Sequence, residues 1–458
     1  MTAAPDLVVT NGQVVTATGT LVADVAITAG RISAVGPQLA GPESRTLDAS
    51  GMLVLPGVID VHTHLRLPAP EQPHRFGRDT LAAARGGTTT VLTFNNPGTG
   101  ISEAGAASLL AGFAEFRDRT DGRALVDYGL SAVLSGFQAD PIGELPALIE
   151  AGVPTFKAFM VYDFRLPDDD LERAFAVASR HSGMLQVHCE DPEIIAPLVD
   201  EAMRAHRTSC RHHALTRPPH AEAAATRKAI EMARRAEAAL YVVHLSCAEA
   251  LDEVAEAKSR GEPVYAETCP HYLTLTDELY RDPDESEAIK RVISPPLRSS
   301  SDVDALWVGL RDGILDVVAS DHVPDRLDAE KSVPAPPFPE ISNGGPGIET
   351  LLGVVFSAGV AARRIGVERM VDVLSTAPAR LFGLPAKGAI EVGRDADLVI
   401  FDPEASRTIR QADLSHTSDY TPFEGMPVVG AIRDVLVRGR SPGDAPGRFL
   451  ERRLGPAT

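Results

Sequence analysis

The sequence predicts an α/β fold: a TIM-type (β/α)8 barrel carrying a small β-sandwich built from both chain ends. Three observations predict it. Through the middle of the chain, short apolar runs alternate with longer Ala- and Leu-rich segments, the pattern of β/α units around a parallel sheet. Eight such runs lie between residues 52 and 320. At the two ends the pattern changes to short strand-like runs separated by Gly, Asn and Asp turns.

In chain order, Asp6–Thr10 and Gln13–Thr16 read as strands joined by Asn11-Gly12, a type I′ turn signal. Leu21–Thr28 and Arg31–Val35 follow. These strands are too few to stand alone. Their partners are expected in Gly388–Val392, Asp397–Phe401 and Asp434–Arg438. The eight central runs are Met52–Val61, Thr88–Phe94, Leu125–Leu134, Val153–Met160, Met184–His188, Leu240–Leu245, Pro263–Thr268 and Ile314–Ser320. Ala104–Arg119, Leu171–His181, Ala221–Ala236 and Ala248–Arg260 read as helices between them. The division is 1–54 for the first part of the sandwich, 55–387 for the barrel and 388–440 for the rest of the sandwich. The tail 441–458 is expected to pack on a neighbouring subunit.

The chain of 458 residues fits one large barrel with a small companion. Its 44% hydrophobic and 23% charged content is ordinary for a globular enzyme. A net charge of −19 argues against nucleic-acid or anionic-membrane partners. Cys189, Cys210, Cys247 and Cys269 show no paired spacing, so reduced thiols in a cytoplasmic protein are expected. The N-terminus reads as no signal peptide, and no apolar run reaches transmembrane length.

The reactive residues sit where barrel chemistry belongs, at the carboxyl ends of the strands. His62 and His64 close the first run. Residues i and i+2 of a strand point the same way, so the two imidazoles project together. Lys157 lies late in the fourth run, His188 ends the fifth, His244 the sixth and Asp321 the eighth. Each alone is better explained as a satisfied buried polar residue. Five strands delivering a ligand-type residue at one end point to a metal site. A lysine joins such a set only when burial and nearby cations favour its neutral amine, which can add carbon dioxide to become a carbamate.

This set resembles that of the binuclear cyclic amidohydrolases of the amidohydrolase superfamily, the group of hydantoinase (dihydropyrimidinase), allantoinase and dihydroorotase. Leu55–His64, Gly86–Thr90, Glu267–Leu273, Ser294–Arg298 and Ser320–His322 carry the likeness. The resemblance implies two divalent ions, zinc or manganese, bridged by N6-carboxylated Lys157. His62, His64, Lys157 and Asp321 would hold one, and Lys157, His188 and His244 the other. It implies a metal-bridging hydroxide, with Asp321 shuttling its proton to the leaving ring nitrogen, and an N-carbamoyl amino acid as product.

Lys157–Tyr162 is similar to the hydantoinase pattern, in which Tyr162 would donate to the developing oxyanion. Ser294 and Asn343 match the positions whose backbone holds the cyclic imide. Arg66 and the Phe94–Pro97 stretch resemble dihydroorotases instead, so Arg66 and Asn96 are candidates to bind a substrate carboxylate. Dihydroorotase and allantoinase thus stay as alternatives, beside a metal-free assembly protein and a mononuclear hydrolase on the same barrel. The loops 65–76, 95–100 and 161–167 are expected to line the pocket mouth. The family likeness also implies a homo-oligomer, a tetramer or dimer.

Overall fold

The computed structural model describes residues 5–42, 44–95, 102–331 and 336–455. The first five strands are β1 (Leu7–Thr16), β2 (Gly19–Thr28), β3 (Arg31–Gly36), β4 (Thr46–Asp48) and β5 (Leu53–Pro56). The next eight are β6 (Val58–Thr63), β7 (Thr88–Phe94), β8 (Asp127–Val133), β9 (Thr155–Phe159), β10 (Met184–His188), β11 (Leu240–Val242), β12 (Val264–Thr268) and β13 (Val317–Val318). The last two are β14 (Leu398–Thr408) and β15 (Pro427–Leu436).

The strands β6 to β13 pair in sequence order and all run parallel. A bridge between Thr63 and His322 brings the last repeat against the first, with His64 N–H donating to His322 O at 2.8 Å. The barrel is nearly closed, and its strand ends converge on one mouth.

The remaining strands form one seven-stranded sheet in the order β15-β14-β5-β1-β2-β3, with β4 on β1. Both chain ends contribute, as alternation and turn chemistry predict. The sheet encloses its own core, which includes Val9, Val14, Val25, Ile27, Ile32, Val54, Leu398 and Ile400. Val15, on the opposite side of β1 from Val14, belongs to the barrel core.

Four local expectations change. Asn11-Gly12 makes no hairpin turn: β1 continues through it with a bulge, Asn11 at φ +61°. Asp24 and Asp48 accept bonds from the Asn11 backbone and side chain at 3.0 and 3.1 Å. Gly12 lies so close to β5 that a Cβ there would meet Val54 Cγ2 at 2.3 Å. The run Met52–Val61 is two strands, not one. β5 joins the small sheet and β6 the barrel, and a Cβ on Gly57 between them would meet Thr89 Oγ1 at 2.0 Å. Gly388–Val392 is not a strand; Gly393 and Arg394 exchange backbone bonds with Ile32 at the edge of β3. Ala104–Arg119 is broken at Ser108, whose extended backbone ends helix Glu103–Ala107 and whose hydroxyl caps helix Leu109–Thr120.

Two contacts lock the ends of the chain to the barrel. Buried Lys387 Nζ lies 2.6, 2.7 and 3.0 Å from carboxylates of Asp127, Asp397 and Asp395, tying the start of β8 to the loop entering β14. The tail packs on its own barrel rather than only reaching outward: Tyr128 and Phe449 form a bridge, and buried Arg452 donates to Leu130 O, Thr155 Oγ1 and Phe382 O.

Candidate metal centre and active site

Six residues predicted at the ends of five strands meet at the barrel mouth. His62 Nε2 lies 3.0 Å from Asp321 Oδ1 and 3.4 Å from Lys157 Nζ. His64 Nε2 reaches the same Asp321 oxygen at 3.4 Å. The His244 ring sits 5.3 Å from that of His62 and 4.6 Å from that of His188. His62, His244 and Asp321 offer ligand atoms all within 4.8 Å of one another.

The local backbone is unusual here. His244 and Asp321 adopt φ of +39° and +48°, and Tyr162 adopts +77°. Side chains other than glycine's reach this region at a cost of roughly 1–3 kcal/mol each. Three such residues beside one mouth show that the chain leaves its strands under constraint, turning functional side chains inward.

The electrostatics fit a cation site. Lys157 is 1% exposed, and its ammonium faces the rings of Phe94 and Phe159 at about 5 Å. Burial pushes its pKa down to about 8, although Asp321 and Glu267 oppose the shift. Burial, with help from Lys157 and His188, holds His244 well below the usual imidazole range. His244 Nδ1 is buried without a hydrogen-bond partner. An imidazole left neutral and orphaned in this way is poised to donate a lone pair. Burial raises the Asp321 pKa, but His62 and His64 outweigh it and hold the carboxyl well below the carboxylate range. The donor set of imidazoles, carboxylate and lysine suits divalent ions.

Carboxylates behind the candidate ligands aim them. Glu267 accepts from His62 Nδ1, leaving Nε2 for the centre. It also takes the Tyr241 hydroxyl at 2.8 Å and the His244 N–H at 3.2 Å. Glu190 accepts from His188 Nε2 at 2.7 Å and pairs with Arg217 at 2.5 Å. Sequence reasoning gave Glu267, Glu190 and Arg217 no role. Glu267 was detectable as the polar residue near the end of the seventh run, and Glu190 as the residue i+2 from His188.

Tyr162 stands over the site, its ring 5.5 Å from that of His188 and stacked on Phe164 at 5.3 Å. Burial raises its phenol pKa, while Arg217, Ser294 and Asn343 nearby work against the rise. Arg66 does not stand free for an anion. Asp325 holds one end of its guanidinium at 2.5 Å and Glu330 holds the other. Asn96 lies outside the described residues. A cavity of about 490 Å³ opens beside His64, lined by Leu65, Arg66, Phe94, Asn95 and Arg119 among others. It draws on the loops after β6 and β7.

A model of the amidohydrolase family matches residues 53–441. The chain belongs to the amidohydrolase family. This amidohydrolase is 40% identical to a D-hydantoinase of Geobacillus stearothermophilus over 94% of its own length and 91% of the relative's. It is 36% identical to a D-phenylhydantoinase of Escherichia coli O1:K1 / APEC, with 98% of each chain covered. Among solved structures it resembles a dihydropyrimidinase from Brevibacillus agri NCHU1002, with TM-score 0.91 and 39% identity over 97% of this chain and 98% of that one. The amidohydrolase also resembles an L-hydantoinase from Arthrobacter aurescens, with TM-score 0.85 and 29% identity over 98% of each chain.

Proposed function

We propose that this amidohydrolase opens a cyclic amide or imide of the hydantoin or dihydropyrimidine type by hydrolysis, giving an N-carbamoyl amino acid. The observation that carries the reading is the convergence of His62, Lys157, His188, His244 and Asp321 at one barrel mouth, with the buried His244 Nδ1 left without a hydrogen-bond partner. Relatives named as hydantoinases and dihydropyrimidinases, aligned along nearly the whole chain, support the substrate class.

The residues fit a pair of divalent ions, zinc or manganese. His62, His64, Lys157 and Asp321 would hold one, and Lys157, His188 and His244 the other. Lys157 would serve both as a carbamate, formed when its neutral Nζ adds carbon dioxide and loses a proton; the pKa of about 8 supports a usable fraction of neutral amine. Bound ions would supply a water of lowered pKa and polarise the scissile carbonyl. Asp321, kept ionised by two imidazoles, takes a proton from the attacking water and returns it to the leaving ring nitrogen. Tyr162, kept protonated by burial, donates to the carbonyl oxygen as charge develops on it. Backbone groups of Ser294 and Asn343 grip the imide edge.

The pairing of Arg66 with Asp325 and Glu330 weighs against a substrate carboxylate at that position, and so against dihydroorotate. Four buried free cysteines are in keeping with a reducing compartment such as the cytoplasm. Leu21 and Val22 on β2 are exposed apolar side chains, in keeping with self-association. One assay tests the reading: metal-loaded protein offered hydantoin, dihydrouracil, allantoin and dihydroorotate. Turnover of the first two is expected. Turnover of dihydroorotate alone, or none with full metal content, overturns it.

A further inference from the structure

The loops holding Ser294 and Asn343 are pinned in the same manner. Around Ser294, three backbone carbonyls are each captured by a buried side chain. Lys331 Nζ donates to Val292 O at 2.7 Å, His213 Nε2 to Ile293 O at 2.7 Å, and the Tyr272 hydroxyl to Pro295 O at 2.5 Å. Around Asn343, Lys331 Nζ also donates to Ser342 O at 2.6 Å, and the Tyr420 hydroxyl to Gly344 O at 3.1 Å. The one carbonyl skipped in each series is that of Ser294 and of Asn343. Among the described residues no group donates to either.

Lys331, His213, Tyr272 and Tyr420 are all buried, and Lys331 is fully so. Sinking an ammonium that far from water is costly unless its protons are used. Here two of them bind carbonyls on different loops, 39 and 11 residues away in sequence. The ammonium therefore fixes the spacing between the two loops as well as the direction of each.

We propose that Lys331 is a positioning residue for substrate recognition. Together with His213, Tyr272 and Tyr420 it captures the flanking carbonyls, leaving those of Ser294 and Asn343 as the free acceptors for ring N–H groups. This inference rests on the cyclic-imide reading above. Its chemistry is simple. An imide edge alternates C=O and N–H, and an acceptor can read the N–H only if it is neither occupied nor free to swing away. The Lys331 ammonium itself bonds neither the candidate metal ligands nor Tyr162.

The test compares a cyclic imide with the same ring methylated at the imide nitrogen, using metal-loaded wild type and Lys331→Met. Wild type is expected to prefer the unmethylated ring by on the order of 100-fold in kcat/KM, because methylation removes the proton the site is built to accept. Lys331→Met is expected to raise KM for the unmethylated ring and to shrink that preference below about ten-fold. Its metal content and its response to other ring substituents should stay as in wild type. A folded, fully metallated Lys331→Met with the wild-type preference overturns the proposal. So does a wild type indifferent to methylation. Should Lys331→Met fail to fold, Tyr420→Phe removes only the bond to Gly344 O and is read by the same ratio. A wild type that opens no cyclic imide at all overturns the underlying functional reading, which separates the two failures.

Discussion

Lys157 is the single side chain on which the proposed metal site most depends. Its amine lies beside His62 Nε2, is walled by two aromatic rings, and is drawn toward neutrality by burial. Replacing it removes the only group proposed to touch both ions. Lys157→Ala is therefore expected to lose bound metal and ring-opening activity together, read by elemental analysis beside the assay; an active, fully metallated variant would remove the bridging role. Arg66 makes the opposite case. Its guanidinium already satisfies Asp325 and Glu330, so Arg66→Ala should keep hydantoin turnover within about three-fold of wild type, and its effect should appear as a stability loss of about 1–3 kcal/mol from the two carboxylates left behind. A selective collapse of activity toward carboxylated rings would restore Arg66 as a substrate contact.

Elements matter here mainly through how they end. Strand alternation makes the His62/His64 pair legible from sequence, because the i and i+2 positions share a face whatever the surroundings. It does not say that β10 is followed by Glu190 turned back on His188, or that the chain enters left-handed backbone at His244 and Asp321. The short helix His213–Thr216 carries a second consequence. Burial, reinforced by Arg217, pushes the His213 pKa down to about 3, so the folded protein keeps it neutral as a donor to Ile293 O. The unfolded imidazole takes a proton below about pH 6.5. Between those values the unfolded state binds more protons, so stability falls as pH falls, by about 1.4 kcal/mol per pH unit from this residue. His271 and His416, both pushed down to about 4 chiefly by burial, act with the same sign. Urea midpoints from pH 7 to 5 should decline, and His213→Gln should decline less steeply; parallel slopes would count against the buried neutral imidazole.

At the scale of the whole molecule, one buried ionic cluster helps join the small sheet to the barrel. Asp127, Asp395 and Asp397 approach one another closely enough to hold a cation, and Lys387 supplies it. Arg438 adds a second positive group on Asp127. Lys387→Met would leave buried carboxylates without their main counter-charge, at a cost of about 3–5 kcal/mol by chemical denaturation. A loss under about 1 kcal/mol would mean that the interface is held by its apolar contacts alone. The tail adds the second lock, since the buried Arg452 guanidinium donates to carbonyl and hydroxyl oxygens of the barrel strands.

The sequence by itself determined whatever depends on period and residue type. The alternation of β and α, the contribution of both ends to one small β domain, and the ligand-type residues at five strand ends all follow from local pattern, because side-chain direction within a strand is a local property. Tertiary structure alone decided which carbonyls, carboxylates and guanidinium groups meet. Arg66 met two acids rather than standing open, Lys331 bridged two loops, and Gly57 split one apolar run between two sheets. Each of those outcomes depends on distances between segments tens to hundreds of residues apart, and residue order carries no direct record of such distances.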